Sequence, residues 1–250
     1  MTEKIDKYKV QAALVRSFFD AFSHGVIESQ MEDRNEKTTP QSVKKLMLEH
    51  YEHIAPAFFD TMFFPLAAMN YKYEDIAALA REAQQRGDDM MALVRTACGD
   101  EAYYNAMVEE YKRNFSMLLA GRYLSNADHL EGYVRKAKEE TEASVDSDRA
   151  IELTVRVVMF AYVRGLRQTG EGARFDRSVH LRQVHPLRGA TLFRLMLDAM
   201  NILLLDEAVD FADAEAADLA SLFLKVCQTQ HNFTVMTNEM DRTYSELMKE

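Results

Sequence analysis

At 250 residues, with 48% hydrophobic and 28% charged residues, the chain is long and apolar enough to bury a substantial core, which excludes intrinsic disorder. Its net charge of −10 and pI near 5.3 argue against general nucleic-acid binding, because a duplex would be repelled everywhere except at a local basic patch. The most apolar stretches, LTVRVVMFAYV and LMLDAMNILLLDEAV, are broken by Arg156, Asp198 and Asp206, so no membrane span is expected.

The N-terminal MTEKIDKYKV has no apolar signal-peptide core, and Cys98 and Cys227 lie far apart as expected free thiols. A reducing, cytoplasmic compartment is the expected location. Nine glycines and four prolines are few chain breakers, and helical periodicity dominates. Ile5, Tyr8, Ala12, Val15, Phe19, Phe22 and Val26 form the apolar stripe of a first helix, which the polar MEDRNEKT should end. Thr39 then makes an N-cap with Pro40 at the first helical position. That helix turns Val43, Leu46, Met47 and Ile54 inward and is expected to stop near Pro56. Residues 57–69 are dense in phenylalanine and methionine and interrupted by Pro65.

A helix from Tyr73 should end at Gly87 and another from Asp88 at Gly99, both with C-terminal glycine caps. Asp100 caps a long helix through Tyr103, Met107, Tyr111, Met117 and Leu118. From Asp128 to Ala143 the pattern thins into a solvated, ion-paired face. An apolar helix follows from Asp148 to Arg167. Residues 168–189 hold Gly170, Gly172, Pro186 and Gly189 and are expected to form a long irregular loop. Helices near 190–209, 213–229 and 231–249 close the chain, the last with Phe233, Met236, Met240, Tyr244 and Leu247 on one face. No internal repeat or low-complexity tract is evident. The expected fold class is all-α: a bundle-like array of about eight to ten helices with one Gly/Arg-rich loop. It is expected to be a single domain over 1–250, with a subdivision near 125–148 as the alternative.

The most informative local feature is cationic. Arg164, Arg167, Arg174, Arg177, Arg182, Arg188 and Arg194 share their segment with two acids, Glu171 and Asp176, and no lysine. Arginine stays charged at any working pH and offers a planar fork of donors to carboxylate or phosphate. QVHPLRGATLF adds His185 and Arg188 at the start of a helix, where free amides favour anions. Arg174, Arg177, His180, Arg182, His185 and Arg188 are the candidate binding residues for an acidic protein segment or a small anion. The simpler reading pairs these arginines with the chain's own surplus carboxylates. Phe58, Phe59, Met62, Phe63 and Phe64 are candidates for an apolar contact, or for plain core.

Other motifs carry less. His24 and Glu28, like Glu49 and His53, lie four apart on helices, and His50 and His53 three apart, as bundle metal sites require. No Glu-x-x-His occurs, and EHYEH misses both zinc-helix spacings. NILLLDEAVDFADAEAADL resembles the Walker B segment of ATP-binding-cassette ATPases, where the positions of Asp206 and Glu207 would hold magnesium and orient water. The chain has no phosphate loop to accompany it, and a helix ending in solvated acids accounts for the same residues. YEDIAALAREAQQRGDDMMALV resembles the first helix of a helix-turn-helix, but Asp88 and Asp89 would face phosphate. No Gly-x-Ser-x-Gly elbow occurs, and neither cysteine sits in a known catalytic motif.

The expected function is a regulatory or interaction module that is a homo-oligomer and binds through the Arg/His-rich loop. The alternatives are a helical-bundle enzyme with a carboxylate/histidine metal site at His24, Glu28, Glu49 and His53, and a helical DNA-binding regulator. The sequence names no cofactor.

Overall fold

The described residues of this computed structural model are 3–34, 40–120, 144–169, 189–205 and 219–247, and they form ten helices and one two-stranded sheet. The fold is all-α and bundle-like, as expected. Its first element is a surprise. Ile5 lies on a short strand, β1 (Lys4–Asp6), and not on a helix. Asp6 makes the switch, its Oδ1 accepting the amide hydrogens of Tyr8 at 2.9 Å and Lys9 at 3.0 Å, an N-terminal cap. Helix α1 (Lys7–Arg34) then runs into the polar stretch expected to end it.

Helix α2 (Pro40–Glu49) stops earlier than expected, and α3 (Tyr51–Asn70) passes through both Pro56 and Pro65. A proline inside a helix costs roughly 3 kcal/mol through one lost hydrogen bond and a ring clash. Ile54, Phe58, Met62 and Leu66 form one fully buried stripe of α3, and each such side chain contributes about 1.5–3 kcal/mol. Burial outweighs the two prolines. Helices α4 (Tyr73–Arg86) and α5 (Met90–Ala97) end as expected, with Gly87 and Gly99 at φ of 73° and 78°. Asp89, not Asp88, caps α5 by accepting from the Ala92 amide at 2.8 Å. Asp100 caps α6 (Glu101–Leu119) through the Tyr103 amide at 2.7 Å.

A second strand, β2 (Ser144–Asp146), also unforeseen, pairs antiparallel with β1 and sets Ile5 opposite Val145. It leads into α7 (Ser147–Thr169), the main packing partner of α1. The two helices start together at the strand pair and meet again where Gly25 and Gly165 touch, so they run side by side in one direction. The remaining helices are α8 (Gly189–Leu204), α9 (Leu219–Cys227) and α10 (Gln230–Leu247). The loop expected at 168–189 is helical at its described ends, residues 168–169 and Gly189, while 170–188, the solvated stretch at 128–143 and the Walker B-like acids at 206–218 lie outside the described residues.

Although no internal repeat is visible in the sequence, the stretches Lys4–Ala120 and Ser144–Leu247 share a series of matching positions. Ile5-Asp6 matches Val145-Asp146, and Asp146 caps its helix as Asp6 does, accepting from the Asp148 amide at 3.1 Å. Gly25 packs on Tyr162, Gly165 and Leu166; Gly165 packs on Phe22 and Val26, the reciprocal set. In α3 and α8, Leu66-Ala-Ala-Met-Asn70 matches Leu197-Asp-Ala-Met-Asn201. Cys98 matches Cys227, both buried, and each is followed by a residue of positive φ, Gly99 or Gln228. Next come the capping residues, Asp100 and Thr229, each accepting the amide hydrogen three residues on. Along α6 and α10, Met107, Asn114 and Leu118 match Met236, Thr243 and Leu247, all buried.

Helix α8 packs on both α1 and α7, and α3 packs on both α7 and α1. One hydrophobic cluster, including Phe18, Phe22, Leu66, Val158, Leu166 and Leu197, therefore draws on both stretches.

Candidate functional site

The cationic segment is visible at its two ends. Arg164, on α7, pairs with Asp60 of α3. Arg194, on α8, stands one turn from Asp198 and is one of the charges acting on that carboxyl. The terminal arginines thus have carboxylates of this chain as neighbours. Arg174, Arg177, His180, Arg182, His185 and Arg188 lie outside the described residues.

The candidate metal ligands have separate roles. His24 Nδ1 is 2.9 Å from the carbonyl oxygen of Asp20. Glu28 accepts a hydrogen bond from the Tyr162 hydroxyl, and burial first, then this carboxylate, push the phenol's pKa up. Glu49 reaches Lys45 at 3.9 Å on the surface. His50 and His53 are neighbours, and burial and then the His53 charge lower the pKa of His50. Among the described residues no three His, Cys, Asp or Glu side chains converge as a metal ion would need.

Of the apolar candidates, Phe58 and Met62 are fully buried, and Phe59, Phe63 and Phe64 are partly buried against the core. Phe58 stacks edge-on against Phe18 at 5.1 Å and lies 4.7 Å from the Tyr111 ring. These rings knit α1, α3 and α6 together. In the helix-turn-helix-like stretch, Asp88 pairs with Arg86 at 2.8 Å while Asp89 is spent as a cap.

The sequence reading missed a group of charges where α1 meets α8. Arg16 and Asp20 are 3% and 5% exposed, with Arg16 Nη2 3.8 Å from Asp20 Oδ1. Facing them on α8 are Arg194 and the partly buried Asp198. Burial first, and then the Asp20 charge, raise the Asp198 pKa well above the ordinary carboxylate value; Arg16 and Arg194 act against the rise. The signal was present in the sequence as two Arg-x-x-x-Asp pairs, RSFFD and RLMLD, whose ends share a helix face. What the sequence withheld was that these two faces meet.

No family model, curated protein or solved structure matches this chain.

A second ion cluster, with Glu239 and Arg156 at its inner end, joins α7 to α10. Arg156 donates from Nε to Glu239 at 2.6 Å and from Nη2 to Glu246 at 3.0 Å. Glu239, 3% exposed, also accepts from Arg242 at 3.0 Å and from the Thr243 hydroxyl at 3.1 Å. The matching Glu110 of α6 has Arg113 and Asn114 in the corresponding places, at 3.8 and 3.5 Å.

The thiols suit packing better than nucleophilic chemistry. Burial pushes Cys98 up to about 12 and Cys227 up to about 11, so neither carries appreciable thiolate at neutral pH. Both are expected to resist iodoacetamide in the folded protein and to react once it is unfolded in urea. Mass spectrometry of the alkylated chain reads this directly; rapid labelling of either under native conditions would contradict it.

Proposed function

We propose that this protein is a helical binding module that receives an acidic protein segment or a small anion on the arginine- and histidine-rich segment between α7 and α8. The observation that supports it is how the cationic cluster is flanked. Arg164 at one end is paired with Asp60, and Arg194 at the other neighbours Asp198. Both of these helices are anchored in the shared core. Between Thr169 and Gly189 the sequence carries Arg174, Arg177, Arg182 and Arg188 against Glu171 and Asp176, a cationic surplus in an acidic chain. Charges that outnumber their local partners attract a ligand of opposite sign, and arginine forks suit carboxylate and phosphate.

Calorimetric titration with inorganic phosphate and with a polyglutamate peptide tests the reading. One of the two should bind with an affinity that falls as salt rises. Arg182→Glu should weaken that binding tenfold or more, since a charge-assisted hydrogen bond contributes about 1.5–3 kcal/mol, and leave the helical circular dichroism unchanged. Heat-free titrations with both probes, or binding unaltered by the charge reversal, would remove the segment from consideration.

A further inference from the structure

Two large apolar side chains stand in solvent on α8 and α9, which pack on each other. Phe193, on α8, is 41% exposed, and Leu224, on α9, is 46% exposed. The Phe193 ring meets the buried Phe223 of α9 edge-on at 5.5 Å, and Phe223 in turn lies 6.3 Å from Phe233 of α10. Phe193 is thus anchored on the core while much of it remains in water.

The fold does not require this exposure. Leu197 and Cys227 match Leu66 and Cys98, and counting back from them sets Phe193 against Met62 and Leu224 against Arg95. Met62 is fully buried on α3. Arg95, on α5, donates from Nε and Nη2 to Glu101 at 2.8 and 2.7 Å and lies over the Tyr104 ring at 5.6 Å. At the α3–α5 pair the first position is inside and the second is charged. Only α8 and α9 turn a phenylalanine and a leucine to water at these positions, which forgoes part of the burial that favours folding.

The surrounding charge selects what can cover them. Helices α8 and α9 carry three charged residues, Arg194, Asp198 and Lys225. Arg194 and Asp198 are partly buried, whereas Lys225, next to Leu224, is exposed. Residues 170–188, which run into α8 just before Phe193, carry four arginines against two acids in a chain of net charge −10. A second copy docked here about a two-fold axis would set Lys225 and the arginines against their own copies, which like charges oppose. An acidic segment with apolar side chains satisfies both features.

We propose that the α8–α9 face at Phe193 and Leu224 docks an acidic amphipathic segment of a partner protein, whose apolar side chains seat on these two residues while its carboxylates meet Lys225 and the arginine-rich segment. Amphipathic helices bind in this way, with apolar anchors at helical spacing, and complementary charge adds specificity. The inference rests on the binding reading above and narrows it: the ligand is a protein segment with apolar anchors and not a small anion.

Calorimetric titration with three synthetic peptides of equal length decides the matter. They are polyglutamate, a peptide in which leucines at helical spacing interrupt the glutamates, and the same leucine pattern on lysine. The glutamate–leucine peptide should bind about tenfold or more tighter than polyglutamate, since seating one leucine is worth that factor, and the lysine–leucine peptide should bind least. Leu224→Gln and Phe193→Gln should each bring the glutamate–leucine peptide toward the polyglutamate affinity and leave polyglutamate unchanged. Circular dichroism reports whether each variant folds, and Leu224→Gln, at the more exposed position, carries the test should Phe193→Gln unfold. Equal affinity for the two acidic peptides would overturn the proposal, as would a lysine–leucine peptide that binds as tightly or a glutamate–leucine affinity untouched by Leu224→Gln. A wild-type chain that sediments as an oligomer and a Leu224→Gln chain that sediments as a monomer would assign the face to a second copy instead. If Arg182→Glu weakens both acidic peptides while Leu224→Gln and Phe193→Gln alter neither, the binding reading stands and the apolar docking alone fails. If the glutamine variants weaken the glutamate–leucine peptide and Arg182→Glu does not, the docking face stands and the arginine assignment fails.

Discussion

Alanine at Gly25 or Gly165 is expected to cost about 3 kcal/mol or more, the upper end of what overpacking a core does. A methyl group on Gly25 would press on the Tyr162 carbonyl oxygen and lie 2.9 Å from the Leu166 amide nitrogen; one on Gly165 would meet Phe22 and Val26 in the same way. Both obstacles are backbone atoms of a packed helix, which no side-chain rotation can move aside. Relief would come only from separating α1 and α7. Urea unfolding should show a lower midpoint with an unchanged slope. Gly87→Ala serves as a control, since that glycine has open space around it and its penalty is confined to φ of 73°, about 1–2 kcal/mol. If Gly25→Ala is no worse than Gly87→Ala, the close crossing is not a constraint on the fold.

Removing the Glu239 carboxylate should be comparably severe. Glu239→Ala leaves the Arg156 guanidinium, 14% exposed, without its closest acceptor. Stranding a buried charge typically costs about 3–5 kcal/mol, far more than an exposed ion pair is worth. The loss comes chiefly from the orphaned partner, so Arg156→Met in the Glu239→Leu background is expected to recover most of the stability. Thermal unfolding of the two single variants and the double variant gives the coupling directly. Additive losses would mean that Glu246 already satisfies Arg156 and that Glu239 matters through its other contacts.

The legibility of the fold differs by element. Helices α4 to α6 were readable because their ends are written in local chemistry: Gly87 and Gly99 close them, and Asp100 opens one. The passage of α3 through Pro56 and Pro65 was not readable, since the local penalty is plain while the opposing burial of Ile54, Phe58, Met62 and Leu66 depends on packing against other helices, α5, α7 and α1 among them. The strands escaped notice because three residues each leave no periodicity, and Ile5 also fits a helical stripe.

The matching positions of the two stretches escaped for another reason. Any apolar residue can fill a core position, so Val10 faces Ala150 in the match and Phe18 faces Val158 with little identity to see. What persists are positions where geometry admits few residues, such as the glycine crossing, the aspartate caps and the Leu-x-Ala-Met-Asn endings. The two Arg-x-x-x-Asp segments were visible as charges on helices, but on a solvated helix such pairs are ordinary.

Taken by itself, the amino-acid order determined the helical class, most helix ends and the arginine-rich segment, because capping, periodicity and charge act between residues close in sequence. Tertiary structure alone decided that α1 and α7 cross at two glycines and that Arg156 finds Glu239. It also decided that Arg16 and Asp20 of α1 act on Asp198 of α8 and that Arg164 of α7 pairs with Asp60 of α3. Those meetings join residues far apart in the chain, where burial and desolvation, which are properties of the packed whole, outweigh any local preference.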